Sequence, residues 1–531
     1  MSMFNDISEL FRFYSDLYRF LGEKITLEES MGIIAQRLKK RDEMFLEFIK
    51  EKIYEKEDSP YLKLMKTTGL EFKDIESFVA DRGIEGTLKE LAERGVYLTI
   101  DEFKGRSVCK RNGHTFSFRE EDFNNITSAA GIRGATGGTR SQGTPVFFNF
   151  DYIREKSVLR KILLDAFDIL DYPCVVWFPD GLGLSVTLEI SKLGKPPLKW
   201  FYPINRAIQK KSNWFSSFKY WLMIESIAAT TNMRGVHLPR PEYIDFEDSI
   251  KVAKYLSEII EKHGGCYVIT YPSSALKACR AAKEKGLRIA GTWFLLGGEP
   301  FTDLKKKEME SVGAKGVGFY ISTESGPISL TCSNPGEIDD SHLLDGHIAV
   351  IQKREEVKFS NLTVDAFLLT SFLPDGPKTL LNVEMGDFGV IEKRSCGCRL
   401  EKLGLLEHIH TIRSFEKMTG IRMSMLNNGL LRIVEEILPR RFGGSVTDYQ
   451  IVEVEGDGFT ELNLLISPNI AGVNKEKVLE TMLDELRAIG KNCNLSIDML
   501  ENVKNIRIKR EYSKRTRVGK VFSFHVEPAN R

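Results

Sequence analysis

Cys266-Tyr-Val-Ile-Thr-Tyr271 is the first of three short apolar stretches that decide the fold. The second occupies residues 287–296, and the third reads Gly316-Val-Gly-Phe-Tyr-Ile321. Each stretch has the composition of a buried strand, and segments of helical length separate them. Ser273 can cap the first of these helices and Thr302 the second. The resulting β-α-β-α-β order predicts a parallel sheet with right-handed crossovers.

Polar or glycine-rich residues follow each of the three stretches. The segments Tyr271-Pro-Ser-Ser274, Gly297-Gly-Glu-Pro300 and Ser322-Thr-Glu-Ser-Gly326 stand where the strands would end. Ligands of parallel sheets bind beyond the carboxyl ends of the strands. Each segment alone would be an ordinary turn, but the three together predict a binding site at this edge.

The composition is that of a globular protein, with 42% hydrophobic and 28% charged residues among 531. Lys and Arg number 75 against 74 Asp and Glu, so the chain has no overall attraction to nucleic acid or anionic lipid. Its apolar runs stay below the ~18 residues of a membrane span, and the first residues lack the layout of a signal peptide. Eight cysteines are too few for a disulfide scaffold. We therefore expect a cytoplasmic protein with reduced thiols that binds neither nucleic acid nor membrane.

Different patterns flank the central region. Residues 4–21 and 33–54 carry apolar residues at helical spacing, so about residues 1–125 are predicted to form a helical layer over a sheet. Beyond about residue 415 the pattern predicts a compact α+β unit. Its elements are a helix, a hairpin, a second helix and a strand, at residues 427–438, 446–455 with 460–466, 475–489 and 495–500.

A segment rich in glycine and hydroxyl groups reads Gly131-Ile-Arg-Gly-Ala-Thr-Gly-Gly-Thr-Arg-Ser-Gln-Gly-Thr-Pro145. Backbone N–H groups of glycines can close on an anion, while hydroxyls add donors and arginine adds charge. The segment is not a Walker A loop, because no Gly-Lys-Ser/Thr follows. Taken alone, it predicts either a phosphate cradle or a flexible loop.

Three further motifs offer charged groups. In Tyr320-Ile-Ser-Thr-Glu-Ser-Gly326, hydroxyls can hold phosphate and the carboxylate can hold Mg²⁺. The aspartate of Glu384-Met-Gly-Asp-Phe-Gly389 can accept hydrogen bonds from both ribose hydroxyls. The last motif, Arg515-Thr-Arg-Val-Gly-Lys-Val521, is basic. Taken singly, they are a solvated glutamate, an aspartate in a reverse turn and a basic tail.

In their order along the chain, these motifs resemble those of the adenylate-forming superfamily of acyl-CoA synthetases, nonribosomal-peptide adenylation domains and luciferases. The resemblance spans roughly residues 129–521 and is greatest to the branch of phenylacetate–CoA ligase and the bacterial-luminescence acyl-protein synthetase. It implies an α/β fold with a large N-terminal adenylate-forming domain of parallel sheets and helices at residues 1–414. A small, mobile α+β C-terminal domain at residues 415–531 would carry the catalytic lysine.

The resemblance also implies which residues bind the phosphates and the adenine. Thr136, Gly137, Gly138 and Thr139 match the phosphate loop. Arg140 departs from the usual pattern and could strengthen phosphate binding or block it. The stretch that lines the adenine pocket would comprise Gly298, Glu299 and Pro300, with Tyr320 against the base.

The remaining roles follow from the same resemblance. Thr323 would touch phosphate, Glu324 would hold Mg²⁺ and Asp387 would bind the ribose hydroxyls. Arg413 matches the arginine that precedes the interdomain hinge. Lys520 matches the catalytic lysine that reaches the acyl phosphate during adenylation.

The implied reaction activates a small-molecule carboxylic acid with ATP and Mg²⁺ as an acyl adenylate, with release of pyrophosphate. An acceptor thiol, CoA by default, then displaces AMP, and in the family the C-terminal domain rotates between the two steps. Phe415 and Glu416 are unusual in the hinge and motivate other acceptors, namely a carrier protein, a protein cysteine or an amine. Arg140 and Ser141 motivate a third hypothesis, a nucleotide-binding protein that has lost catalysis.

A separate set of soft ligands comprises Cys332, His347, Cys396 and Cys398. Three thiolates and one imidazole suit structural zinc, and the phenylacetate–CoA ligase branch has a similar Cys-x-Cys near this point. His342 could take the place of His347 in this set. The alternative is a group of unliganded thiols in a reducing compartment.

Overall fold

A computed structural model describes residues 2–125, 130–135, 145–203, 214–245, 248–356, 363–414, 431–455, 460–493, 507–516 and 519–527. Its helices are α1 (Ser2–Phe20), α2 (Leu27–Lys39), α3 (Arg41–Ile49), α4 (Pro60–Thr68), α5 (Phe72–Glu93), α6 (Ile100–Phe103), α7 (Phe150–Ala166), α8 (Asp180–Lys192), α9 (Trp214–Asn232), α10 (Ile250–His263), α11 (Pro272–Lys285), α12 (Asp303–Glu310), α13 (Arg399–Lys402), α14 (Leu438–Phe442) and α15 (Lys475–Cys493). None of the helices in these ranges is both long and apolar enough to cross a membrane.

The strands group into three main sheets and three short hairpins. They are β1 (Cys109–Arg111), β2 (His114–Phe116), β3 (Gly131–Ala135), β4 (Pro145–Asn149), β5 (Cys174–Trp177), β6 (Lys199–Tyr202), β7 (Pro241–Tyr243), β8 (Cys266–Thr270), β9 (Thr292–Leu296), β10 (Lys315–Gly318), β11 (Ile321–Ser322), β12 (Gly326–Pro327), β13 (Ser329–Thr331), β14 (Ser341–Leu343), β15 (Ile348–Glu356), β16 (Thr363–Ser371), β17 (Leu380–Lys393), β18 (Glu407–Ser414), β19 (Tyr449–Glu455), β20 (Thr460–Ile466), β21 (Arg507–Arg510) and β22 (Phe524–Glu527).

The first main sheet is parallel and has the strand order β10-β9-β8-β5-β6-β7. The first two apolar stretches of the sequence contain β8 and β9. The third is divided between β10, which ends at Gly318, and β11, which begins at Ile321. β8, β9 and β10 are neighbours in the sheet, as predicted. All five residues of β8 are buried, because helices such as α10 and α11 pack on the sheet. The fold is therefore mixed α/β around a parallel sheet.

The helix between β8 and β9 starts differently from the prediction. α11 begins at Pro272 with Tyr271 as its N-cap, so Ser273 lies inside the first turn and the expected Ser273 cap is wrong. Proline favours this first position, because its φ is already helical and its missing N–H would have no partner there. Thr302 does stand at the N-cap of α12, although its hydroxyl makes no capping hydrogen bond.

The second main sheet is antiparallel and carries the predicted helical layer. Its strand order is β13-β14-β18-β17-β16-β15. One buried cluster joins side chains of residues 45–123 to this sheet, with Phe45 and Phe103 on one side and Leu368, Phe372 and Leu380 on the other. The prediction of a helical layer over a sheet is therefore confirmed for these residues.

The C-terminal residues form a four-stranded sheet with the order β21-β20-β19-β22. β19 and β20 pair as the antiparallel hairpin that the sequence predicts, and α15 covers the predicted second helix. Ile433, Tyr449, Leu464 and Met482 belong to a buried cluster within this unit. The predicted strand at 495–500 lies outside the described residues, and the domain boundary at 414/415 stays a prediction.

A buried ion network joins α7 and α8 behind the parallel sheet. The Glu189 carboxylate is 1% exposed, with Oε2 at 2.9 Å from Lys156 Nζ and Oε1 at 2.8 Å from Arg160 Nε. The Arg160 guanidinium also lies 5.0 Å from the ring centroid of Phe319, just beyond β10. Removing one partner of such a network leaves uncompensated buried charge, which is costly.

We expect Glu189→Gln to lower the free energy of unfolding by about 3–5 kcal/mol, because two buried cations lose their anion. Urea unfolding followed by far-UV circular dichroism measures the change. Glu29→Gln is the matched control, since Glu29 pairs with Arg154 at 2.6 Å on the exposed surface, where loss of a pair costs about 0–1 kcal/mol. Equal losses in the two variants would contradict the role of the network.

Candidate active site

The carboxyl ends of β8, β9 and β10 bring the residues that follow them to one edge of the parallel sheet. Tyr271 follows β8, Gly297 follows β9, and Phe319 with Tyr320 follows β10. The N–H of Phe319 donates to the Leu296 carbonyl at 3.0 Å, which holds the ends of β9 and β10 together. The residues that directly follow β8, β9 and β10 are therefore neighbours, whereas the third predicted segment, residues 322–326, lies farther along the chain in the turn between β11 and β12.

A hydrogen bond joins Tyr320, which follows the last strand of the parallel sheet, to Asp387, which lies in the antiparallel sheet. The Tyr320 hydroxyl donates to Asp387 Oδ2 at 2.9 Å, although 67 positions separate the two residues in the sequence. Asp387 lies in β17, where it pairs in register with Ser414 of β18. Burial and the neighbouring carboxylate hold the pKa of Tyr320 well above its ordinary value, so the phenol keeps its proton. A carboxylate beside an aromatic ring is an arrangement that can hold a ribose next to its base.

Arg413 lies on β18, one register position from Asp387. Its guanidinium is exposed and pairs with Asp339, with Nη1 at 3.2 Å from Oδ2. Asp339 also accepts hydrogen bonds from the N–H groups of Thr411 and Ile412. The role of Arg413 beside the nucleotide stays a prediction.

The turn between β11 and β12 places Thr323 and Glu324. The N–H of Ser325 donates to the Ser322 hydroxyl at 2.9 Å, which closes the turn. Thr323 is half-buried, whereas Glu324 is turned inwards with 9% exposure. The turn thus presents a hydroxyl and a buried carboxylate on adjacent residues.

Glu324 is bonded to a lysine that the sequence reasoning missed. Lys104 follows α6 and donates from Nζ to Glu324 Oε1 at 2.6 Å and to Glu120 Oε1 at 2.8 Å. Lys378 Nζ donates to the Glu120 backbone carbonyl at 3.1 Å and lies 3.4 Å from Glu120 Oε1. Two lysines and two glutamates thus form a cluster whose formal charges cancel. Burial lowers the pKa of Lys104, but the two carboxylates outweigh that effect and raise it. No local signal marks Lys104, because it lies 220 positions from Glu324.

Glu299 and Lys520 mark the contact between the parallel sheet and the C-terminal unit. Glu299 accepts hydrogen bonds from Ser273 and from the N–H of Val521. Lys520 Nζ lies 5.5 Å from the ring centroid of Tyr271. The predicted catalytic lysine therefore lies at the same edge as the segments after β8 and β9.

For two parts of the predicted nucleotide site, the structure gives few contacts. Thr136, Gly137, Gly138, Thr139 and Arg140 lie outside the described residues, between β3 and β4. Pro300 is exposed, and its carbonyl accepts a hydrogen bond from Lys305 Nζ at 2.8 Å. The proposed contacts of these residues with phosphate and adenine stay predictions.

A second cluster comprises Cys332, His342, Cys396 and Cys398, all of them buried. One potential ligand atom from each lies within 4.8 Å of the others. His342 Nε2 is 3.1 Å from Cys398 Sγ and 3.6 Å from Cys396 Sγ. The expectation that His347 completes this set is wrong: the pairing of β14 with β18 turns His342 towards the cysteines, and His347 lies beyond β14.

The donors in this cluster fit Zn²⁺. His342 Nδ1 bonds to the Leu405 carbonyl at 2.8 Å, which leaves Nε2 facing the sulfurs. Burial, reinforced by His408, lowers the pKa of His342 to about 4, so the ring is neutral. Cys332 Sγ accepts from the N–H of Asn334 at 3.3 Å, which lowers the pKa of the thiol against the larger, raising effect of burial. Three sulfurs and one neutral imidazole form the ligand set of a structural zinc site.

Comparison with models of known protein families and with curated proteins finds no match. Solved structures do show similarity. One is a 2-hydroxyisobutyryl-CoA ligase in complex with its acyl adenylate and CoA, with 12% identity, a TM-score of 0.42, and coverage of 95% of this chain and 91% of that one. Another is McyG A-PCP complexed with phenylalanyl-adenylate, with 12% identity, a TM-score of 0.42, and coverage of 85% and 72%.

A third similar structure is the O-succinylbenzoate CoA synthetase of Bacillus subtilis in complex with ATP and magnesium ion. Its identity is 12% and its TM-score is 0.40, with coverage of 73% of this chain and 68% of that one. The three structures are thus acyl-CoA ligases or contain an adenylation domain.

Proposed function

We propose that this chain activates a carboxylic acid with ATP and then transfers the acyl group to the thiol of CoA. The observation that carries the proposal is the position of Lys520 beside Tyr271, at the sheet edge where Tyr320 bonds to Asp387. The proposal is also supported by two carboxylates: that of Asp387, which is suited to ribose hydroxyls, and the buried one of Glu324. These are the groups that formation of an acyl adenylate requires.

In the first step, a carboxylate oxygen of the acid attacks the α-phosphorus of ATP, and the bond to pyrophosphate breaks. Negative charge grows on the oxygens around that phosphorus, and the Lys520 ammonium stabilises it. Asp387 accepts hydrogen bonds from the ribose hydroxyls, and the ring of Tyr320 lies against the adenine. In the second step, the thiol attacks the acyl carbon and AMP leaves.

Glu324 is the carboxylate that would hold Mg²⁺, which when bound would neutralise phosphate charge. Carboxylate oxygen is a ligand that this ion prefers, so the residue fits the group. The position opposite Glu324 is taken by Lys104 in this structure. Binding of a cation at Glu324 therefore competes with an ammonium group of the chain itself.

We also propose that Cys332, His342, Cys396 and Cys398 hold one structural Zn²⁺. The support is their common burial, the short separation of the four ligand atoms and the orientation of His342 by Leu405. Cys332 follows β13, and His342 lies in β14, which pairs with β18. The ion would thus tie two strands of the antiparallel sheet to the segment of Cys396 and Cys398.

Lys520→Ala should lower carboxylate-dependent ATP–pyrophosphate exchange by about 100-fold or more, because the charge on phosphorus loses its cation. A panel of aryl, arylacetic, fatty and amino acids first identifies the acid that supports exchange. ATP affinity, measured by calorimetry, should change by less than about threefold. Lys514→Ala, at a lysine whose side chain is 41% exposed, is the control and should retain exchange. A fully active Lys520→Ala variant would contradict the proposed role.

Lys104→Met should raise the affinity of the nucleotide-free protein for Mn²⁺ by about tenfold, a change of about 1.4 kcal/mol. The reason is that the metal ion no longer competes with an ammonium for Glu324. Electron paramagnetic resonance of free Mn²⁺ measures the affinity. Lys104→Arg keeps the charge and should behave as the wild type, and Glu324→Gln should abolish the gain in the double variant. Equal affinity of wild type and Lys104→Met would refute the competition.

The purified protein should contain about one zinc ion per chain by elemental analysis. His342→Asn should lose most of this zinc, because the imidazole is one of four ligands. His347→Asn is the matched control, since His347 is an equally buried histidine outside the cluster, and it should keep the metal. Loss of zinc from the His347 variant alone would overturn this ligand set.

A further inference from the structure

We infer that Glu299 is a positioning residue. Its hydrogen bonds hold the C-terminal unit against the edge of the parallel sheet, a contact that we call the clasp, and thereby set the position of Lys520. The inference rests on the proposed function, in which Lys520 stabilises charge during adenylation. It gives Glu299 a role different from lining the adenine pocket.

The Glu299 carboxylate connects two separate elements. Oε1 accepts hydrogen bonds from the Ser273 hydroxyl at 2.8 Å and from the N–H of Val521 at 2.9 Å. Oε2 accepts from the N–H of Ser273 at 2.9 Å. Val521 directly follows Lys520, so one end of this bridge lies in the first turn of α11 and the other next to the catalytic lysine.

A carboxylate suits this position for electrostatic reasons. The first N–H groups of a helix have no partner within the helix, and the helix dipole favours an anion there. The N–H of Ser273 is such a group in α11, and Glu299 satisfies it. Burial raises the pKa of Glu299, and this effect outweighs the lowering effects of Lys305 and of the accepted hydrogen bonds. A side chain with a single acceptor oxygen in place of Oε1 could still accept from Val521 and the Ser273 hydroxyl, but it would leave the N–H of Ser273 without its acceptor.

The surroundings of Lys520 depend on this bridge. A Cβ atom at Gly298 would lie 2.7 Å from Lys520 Nζ, so the absence of a side chain there makes room for the ammonium. Within the C-terminal unit, Lys520 is held by a turn in which its N–H donates to the Thr516 hydroxyl at 3.1 Å. That turn orients Lys520 within its own unit, and the Val521–Glu299 bond relates it to the sheet.

Other ion pairs between the same two parts of the molecule lie farther along the chain from Lys520. Arg280 of α11 bonds to Asp448, and Lys305 of α12 lies 3.7 Å from Glu435. These pairs can hold the C-terminal unit against the helices when Glu299 is replaced. Loss of Glu299 should therefore loosen the segment around Val521 without detaching the unit.

The test measures amide exchange and catalysis in the full-length chain. Glu299→Ala should speed hydrogen–deuterium exchange of the Val521 amide about tenfold or more, as seen in peptides that cover residues 519–523. The size-matched Glu299→Gln keeps one acceptor oxygen for Val521 and should speed this exchange less. Glu310→Ala removes an exposed carboxylate at the end of α12 and should leave this exchange unchanged. Protection of the Val521 amide at the wild-type level in both Glu299 variants would overturn the clasp, whatever their activity.

The positioning role is tested through a double variant. Glu299→Ala should lower the kcat of carboxylate-dependent ATP–pyrophosphate exchange about 10- to 100-fold, while the KM for ATP changes by less than about threefold. Added to Lys520→Ala, it should cause no further loss, because both variants remove the same contribution. Multiplied losses in the double variant would overturn the positioning role. A fully active Lys520→Ala variant would refute the proposed function instead, and amide exchange would still decide the clasp.

Discussion

Parallel hydrogen bonding of β8, β9 and β10 is the constraint on which the candidate site depends. Each strand ends at the same edge, so the residues that follow them become neighbours in space. Side chains alternate between the two faces of a strand, so a slip of one residue in the register would turn every side chain to the opposite face. The geometry around Tyr271, Gly298 and Tyr320 follows from this register.

Carboxylates that are buried (Glu189, Glu324) or half-buried (Glu299) join the other parts of the molecule to that edge. Glu189 links α7 to α8, Glu324 links the turn after β11 to Lys104 of the helical layer, and Glu299 links α11 to the C-terminal unit. A buried carboxylate without a partner is costly, so each contact strongly favours one arrangement of the segments it connects. The hydrophobic clusters hold the layers together, and these polar contacts set the positions of individual functional groups.

Local patterns predicted the elements whose signal lies within a few residues. The β-α-β-α-β order, the helical layer and the hairpin of β19 and β20 follow from periodicity and turn residues. Ser273 predicts a cap because serine before a helix is a common signal, but the proline at position 272 begins the helix instead. The hydroxyl is used by Glu299, a contact between residues 26 positions apart.

The sequence by itself determined the fold class, the order of strands and helices and the kinds of chemical group available, because these depend on local periodicity and residue type. Only the tertiary structure decided that Lys104 faces Glu324, that His342 rather than His347 faces the cysteines, and that Glu299 reaches Val521. Such pairings join residues 56 to 222 positions apart. They are set by how sheets and helices pack, and packing leaves no periodic trace in the sequence near either partner.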